Sequence, residues 1–180
     1  MTDNEKEVMR LLSNRATVRR GFEMLVGLYS EKIYWQVRRI VITHDDANDV
    51  VQNAFLKAWL NLDEFENRSK ISTWLSRIAI NESFDFLRRK QRQSGINTDD
   101  GQLIENKIAD EYFDGDAIES LLKDAIAQLP DVQRTVFTLR YYEDMKYSDI
   151  SSILGTSVGA LKASYHLAVK KIENYFSKHD

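Results

Sequence analysis

Residues 43–62, THDDANDVVQNAFLKAWLNL, residues 63–69, DEFENRS, and residues 70–92, KISTWLSRIAINESFDFLRRKQR, decide the fold. In the first run Val50, Val51, Ala54, Phe55, Ala58, Trp59 and Leu62 recur at helical spacing, which predicts a helix over about 46–62 with that face in a core. Asp45, Asp46 and Asp49 crowd its first turn, where carboxylates meet the positive end of the helix dipole; they serve either as caps or as contacts for a partner. Gln52, Asn53 and Lys57 lie off the apolar stripe and are candidates to face a protein.

The last run predicts a second helix with Ile71, Leu75, Ile78, Ala79 and Phe86 inward. Trp74, Arg77, Asn81, Phe84 and Arg88 form another stripe at steps of three or four residues. Unpaired bases need flat surfaces to stack on, amides to read their edges and cations for their phosphates, and this stripe supplies all three. Arg88, Arg89, Lys90 and Arg92 extend it with positive charge. The competing reading keeps Trp74 and Phe84 as core residues and the basic run as a solvated helix end.

Long amphipathic segments and a single proline among 180 residues predict an all-α chain, with material for two small helical domains. With no cysteine there is neither a disulfide nor a thiolate metal site, which suits a reducing cytoplasm. The start, MTDNEKEVMRLL, lacks a signal-peptide pattern and no apolar run is long enough for a bilayer, so a cytoplasmic protein is expected. A net charge of -3 argues against strong autonomous DNA binding, but the charge is segregated. Residues 65–92 carry seven bases against three acids, whereas residues 93–124 carry nine acids against two bases.

A helical pattern from Arg15 to Ile42 should pack on the 46–62 helix, with Arg38 and Arg39 solvated. Periodicity fades after Gln93, so residues 1–92 read as one domain, 93–116 as an acidic linker and 117–180 as a second domain. Pro130 separates a helix starting at Ala117 from another over Asp131 to Tyr142. The segments MKYSDISSILG and TSVGALKASYHLAVKKIENYF then have helix-turn-helix form. Gly155 closes the first helix, Ser157 caps the second, Ile150, Ile153 and Leu154 point inward from the first, and Val158, Leu161, Tyr165 and Ala168 from the second. Gly159, Ala160, Lys162, Ala163, Ser164 and His166 lie outward near its start, with Lys170 and Lys171 further on. Such residues suit a major groove, where lysine donates to guanine and small residues allow close approach.

The runs RRIVITHDDANDVVQNAFLKAW and STWLSRIAINESFDFLRRK resemble the second conserved region of bacterial RNA polymerase sigma factors, in the short extracytoplasmic function (ECF) group. The helix-turn-helix matches that family's C-terminal region. The resemblance implies a non-enzymatic initiation factor that binds core polymerase and promoter DNA, both as duplex and as non-template single strand. It implies no catalytic residue, cofactor, metal or small-molecule substrate, and leaves room for an anti-sigma partner. It places Asp45, Asp46, Asp49, Gln52, Asn53 and Lys57 toward the polymerase; Phe65, Trp74, Arg77, Asn81, Phe84 and Arg88 at the minus-ten element; and Ser157, Ala160, Lys162, Ala163, Ser164, His166 and Lys170 at the minus-thirty-five element. In the family the linker threads through basic polymerase channels. Ser164 and Leu167 depart from the family, which commonly carries bases there.

Two other functions compete. Asp45, Asp46 and Asp49 spell the DDxxD pattern that holds magnesium in prenyl-diphosphate enzymes, but no second acidic motif accompanies it. A stand-alone helix-turn-helix regulator would bind promoters without polymerase.

Overall fold

The computed structural model describes residues 2–65, 69–94 and 117–179. Among them every regular element is helical: α1 (Asp3–Leu12), α2 (Val18–Val41), α3 (His44–Leu60), a 3₁₀ turn (Leu62–Glu64), α4 (Ile71–Ser94), α5 (Ala117–Ala127), α6 (Asp131–Tyr141), α7 (Tyr147–Leu154) and α8 (Val158–His179). Helix α1 was not foreseen. Thr2 caps it by accepting from the Glu5 amide at 3.3 Å while the Glu5 carboxylate takes the Thr2 amide at 2.8 Å, a complete capping box. Gly21 admits it to α2, because a Cβ there would stand 2.9 Å from the Leu11 Cβ and from the Leu12 backbone nitrogen.

Helices α2, α3 and α4 pack together around Leu25, Ile33, Val37, Ile40, Val50, Ala54, Leu75, Ala79 and Ile80, all almost fully buried. Filling such positions with branched aliphatics removes roughly 1.5–3 kcal/mol of exposed apolar surface per side chain, which fixes α3 against α4. Helix α4 continues to Ser94, two residues into the span read as linker; the rest of that linker lies outside the described residues. The C-terminal helices have their own cluster of Ala125, Ile126, Leu129, Phe137, Ala168 and Ile172. Phe137 stacks on Tyr165 there, with centroids 5.7 Å apart.

The two helical groups touch. Val136, Leu139, Ile150, Ile153 and Leu161 join the same apolar cluster as the N-terminal core. This overturns the reading of two arginines as solvated. Arg38 is 9% exposed, and the Arg39 guanidinium lies 4.1 Å above the Tyr142 ring centroid, since α6 covers that side of α2. Two further inward assignments fail: Trp59 is 39% exposed, in edge contact with Phe22 at 5.0 Å, and Val158 is also 39% exposed because it opens α8 at the domain surface.

Candidate polymerase and nucleic-acid interfaces

The first surface is α3. Its N-cap is Thr43, whose hydroxyl accepts from the Asp46 amide at 3.3 Å, so none of the three aspartates is the cap residue. Asp45 and Asp49 are exposed. Asp46 is drawn inward, its carboxylate 2.6 Å from the Lys90 ammonium at the far end of α4. The three carboxylates therefore do not converge, and among the described residues no group of acids or histidines could hold a metal ion. Gln52 and Asn53 are exposed as expected. Lys57 is exposed too, and its ammonium also pairs with the Glu82 carboxylate across the α3–α4 seam.

Sequence reasoning passed over Leu56 and Leu60, which are 56% and 70% exposed and continue the line from Asp49 and Gln52 at steps of three or four residues. The signal was there: both leucines lie off the buried stripe at helical spacing. With Trp59 beside them they give α3 a polar start and an apolar end on one outward face.

The second surface is α4. Arg77, Asn81 and Arg88 are exposed along one side, at steps of four and then seven residues. Trp74 and Phe84 are half-buried and pack on the core, so only part of each ring is open to solvent. Phe65 meets Trp74 with centroids 5.1 Å apart, which ties the connection to the start of α4. Arg88 pairs with Asp85 at 3.1 Å, but the two side chains are 64% and 49% exposed, so the pair yields readily to a phosphate.

The third surface is the helix-turn-helix. Gly155 ends α7 at φ 64°, a left-handed cap that glycine adopts without a Cβ clash. The Ser157 hydroxyl then accepts the Ala160 amide at 3.2 Å and starts α8. Ser157, Ala160, Lys162, Ala163, His166 and Lys170 are exposed. Ser164 is half-buried, so its expected outward position is only partly met. The α8 register is set from beneath by Tyr165, packed on Phe137 and Tyr147; burial raises its phenol pKa. Lys162 lies 6.0 Å over the Tyr147 ring, which orients its charge near the start of α8.

An all-helical chain with an exposed polar-then-apolar helix face, a basic amide-bearing helix and a helix-turn-helix belongs to the class of helical DNA-binding factors. The family model for sigma-70 region 2 matches residues 25–93, and that for sigma-70 region 4 matches residues 119–172. The ECF RNA polymerase sigma factor SigW of Bacillus subtilis is 33% identical over 156 residues, covering 81% of this chain and 83% of the relative. The sigma-H factor of Pseudomonas aeruginosa is 33% identical over 165 residues, covering 86% of each. The chain belongs to the ECF sigma factors of bacterial RNA polymerase.

Two solved structures share the fold. RpoE bound to the anti-sigma factor NepR from Bartonella quintana has a TM-score of 0.69 and 24% identity, over 87% of this chain and 96% of that one. CnrH in complex with the cytosolic domain of CnrY also gives 0.69, at 21% identity, over 98% of this chain and 99% of that one. Neither the DDxxD enzyme reading nor a regulator acting without polymerase is favoured by these relationships. Among the described residues no helix is long and apolar enough to cross a membrane.

Proposed function

We propose that this sigma factor divides its work among three helices. The outward face of α3, through Asp45, Asp49, Gln52, Asn53, Leu56 and Leu60, docks on core polymerase. Arg77, Asn81 and Arg88 of α4 receive the non-template strand at the minus-ten element, with the open parts of the Phe65, Trp74 and Phe84 rings available to a displaced base. The start of α8 enters the major groove at the minus-thirty-five element. Residues 1–92 and 117–180 act as the two promoter-binding domains and 93–116 as the connection, in a cytoplasmic, non-catalytic subunit whose phosphodiester chemistry belongs to the polymerase. Asp46 and Lys57 support these surfaces through their partners on α4.

The observation that carries this reading is the pair of exposed leucines on a helix whose opposite face is fully packed. A soluble factor keeps such side chains in water when a partner covers them. The two solved structures are complexes with partner proteins, and we extend that to this chain as an anti-sigma protein competing for the same faces. The test is reconstitution. Purified chain and core polymerase should give transcripts from a cognate promoter, and neither should do so alone. Promoter binding by the chain without polymerase, at comparable affinity, would return the stand-alone regulator.

A further inference from the structure

We propose that Leu167 of α8 reads a thymine of the promoter by packing against its C5-methyl group, so that this helix specifies one base through apolar contact. The inference rests on the placement of α8 in the major groove and names what one part of that helix recognises. Leu167 is 48% exposed and belongs to neither apolar cluster of the described residues, whereas its neighbour Ala168 is fully buried and Ile172 is buried a turn further on. Its side chain therefore adds nothing to the core and stands in water.

An exposed leucine alone means little, but the residues around this one say what covers it. Lys162, His166 and Lys170 follow one another at steps of four and form an exposed row of cationic and hydrogen-bonding groups. The adjoining row, Gly159, Ala163 and Leu167, is exposed at the same spacing and carries no polar side chain. A cationic row beside an apolar one fits a polyanion with apolar groups set into it. The major groove of DNA is such a surface, with phosphates along its rims and thymine methyls on its floor. Glycine and alanine at 159 and 163 let the helix approach that floor closely, and leucine is the first apolar side chain of the row long enough to fill the space beyond them.

Of the four bases only thymine presents a methyl group in the major groove. Against guanine, adenine or cytosine the same leucine covers donors or acceptors that it cannot pair, so the contact discriminates by leaving them unsatisfied. Register follows from helix geometry. Leu167 lies five residues beyond Lys162. For a helix running along the groove that is about 7.5 Å at 1.5 Å per residue, or about two base pairs at 3.4 Å each. The thymine should therefore stand about two base pairs from the position read by Lys162, toward the C-terminal end of α8.

The test uses holoenzyme reconstituted from the chain and core polymerase. A duplex library randomised over the minus-thirty-five element is selected for binding, and each thymine of the enriched sequence is replaced in turn by deoxyuridine, which removes the methyl and leaves base pairing intact. One replacement should weaken wild-type holoenzyme by about fourfold, the effect of uncovering one methyl-sized apolar group, and should leave Leu167→Ala unaffected. Leu167→Arg, selected on the same library, should exchange thymine for guanine there, because arginine donates to guanine O6 and N7. An enriched element without thymine, or deoxyuridine that is harmless throughout or equally harmful to wild type and Leu167→Ala, overturns the inference. So does weaker binding of Leu167→Ala to core polymerase in the absence of DNA, which would make the leucine a protein contact. Lys162→Ala separates this inference from the reading beneath it: a selected sequence that Lys162→Ala alters and Leu167→Ala does not sinks the leucine contact alone. A library from which nothing is enriched takes α8 out of the groove, and both fall together.

Discussion

Lys57 on α3 reaches across to the carboxylate of Glu82 on α4, which is 5% exposed. That ion pair ties α3 to α4. Lys57→Ala strips Glu82 of its cation and should cost about 1–3 kcal/mol, because a buried acceptor is left unpaired. Combining it with Glu82→Gln should recover part of the loss, since a neutral amide is cheaper to bury. Urea denaturation of the three variants measures this; equal stability of Lys57→Ala and wild type would move Lys57 back to the partner-facing set.

The exposed stripe of α3 should behave oppositely. Leu56→Ser with Leu60→Ser touches no core contact, so stability should stay within about 0.5 kcal/mol of wild type. Affinity for core polymerase should fall by about tenfold or more, the usual consequence of removing an apolar anchor from the centre of an interface. Asp49→Arg with Gln52→Ala should weaken binding in the same assay. Fluorescence anisotropy against core polymerase reads both, and unchanged affinity for the leucine pair would remove α3 from the contact.

Asn81 is exposed between Arg77 and Arg88, where its amide can meet the edge of an unpaired base. If it acts in opening, Asn81→Ala should damage initiation on a duplex promoter far more than on one carrying a pre-melted bubble. Equal damage on both templates would make it a base reader, and no damage on either would leave it a solvated residue.

Much of this architecture was legible because it rests on periodicity and punctuation. The 3.6-residue spacing gave α2, α3 and α4, Pro130 separated α5 from α6, and Gly155 with Ser157 marked the turn before α8. What escaped was long-range. No local pattern says that Asp46 is held by Lys90, 44 residues away, or that Arg39 lies over the Tyr142 ring. Both arise because docking an amphipathic helix also settles its flanking charges, and their partners come from elsewhere in the chain. Leu56 and Leu60 were missed for a simpler reason, that only polar and charged residues off the buried stripe were taken as partner contacts.

The N-terminal helix brings a pH dependence. The Tyr29 hydroxyl, on a ring that is 7% exposed, donates to Glu5 at 2.6 Å. That bond first, then the Thr2 amide, lowers the Glu5 pKa below its ordinary 4.5. A depressed folded-state pKa means stability that is present above the unfolded value and lost as pH falls through the folded one. Tyr29→Phe should therefore cost about 1 kcal/mol at pH 7, the low end for a charge-assisted bond because the carboxylate is partly in water. The gap to wild type should narrow in the acid range below the ordinary glutamate value. Denaturation of both proteins at neutral and acid pH measures it, and a gap independent of pH would mean that the lost hydroxyl acts through packing alone.

Lys162 and Lys170 sit two turns apart on the exposed side of α8 and should separate base reading from phosphate anchoring. Lys162 lies near the start of the helix, over the Tyr147 ring, where a recognition helix presents donors to base edges. Lys162→Ala should therefore relax discrimination at one position of the minus-thirty-five element, by roughly 1–3 kcal/mol between matched and mismatched sites. Lys170 lies further along and suits the backbone, so Lys170→Ala should weaken every sequence alike and reduce the magnitude of the log–log salt slope by about 0.9. Ser164, between them and half-buried, allows a third comparison. An arginine there starts from a half-buried position, so Ser164→Arg should steepen the slope by less than about 0.9. Holoenzyme binding across a salt series, on matched and single-mismatch promoters, distinguishes the three. Uniform loss for Lys162→Ala, with altered specificity for Lys170→Ala, would mean that α8 enters the groove by its other end.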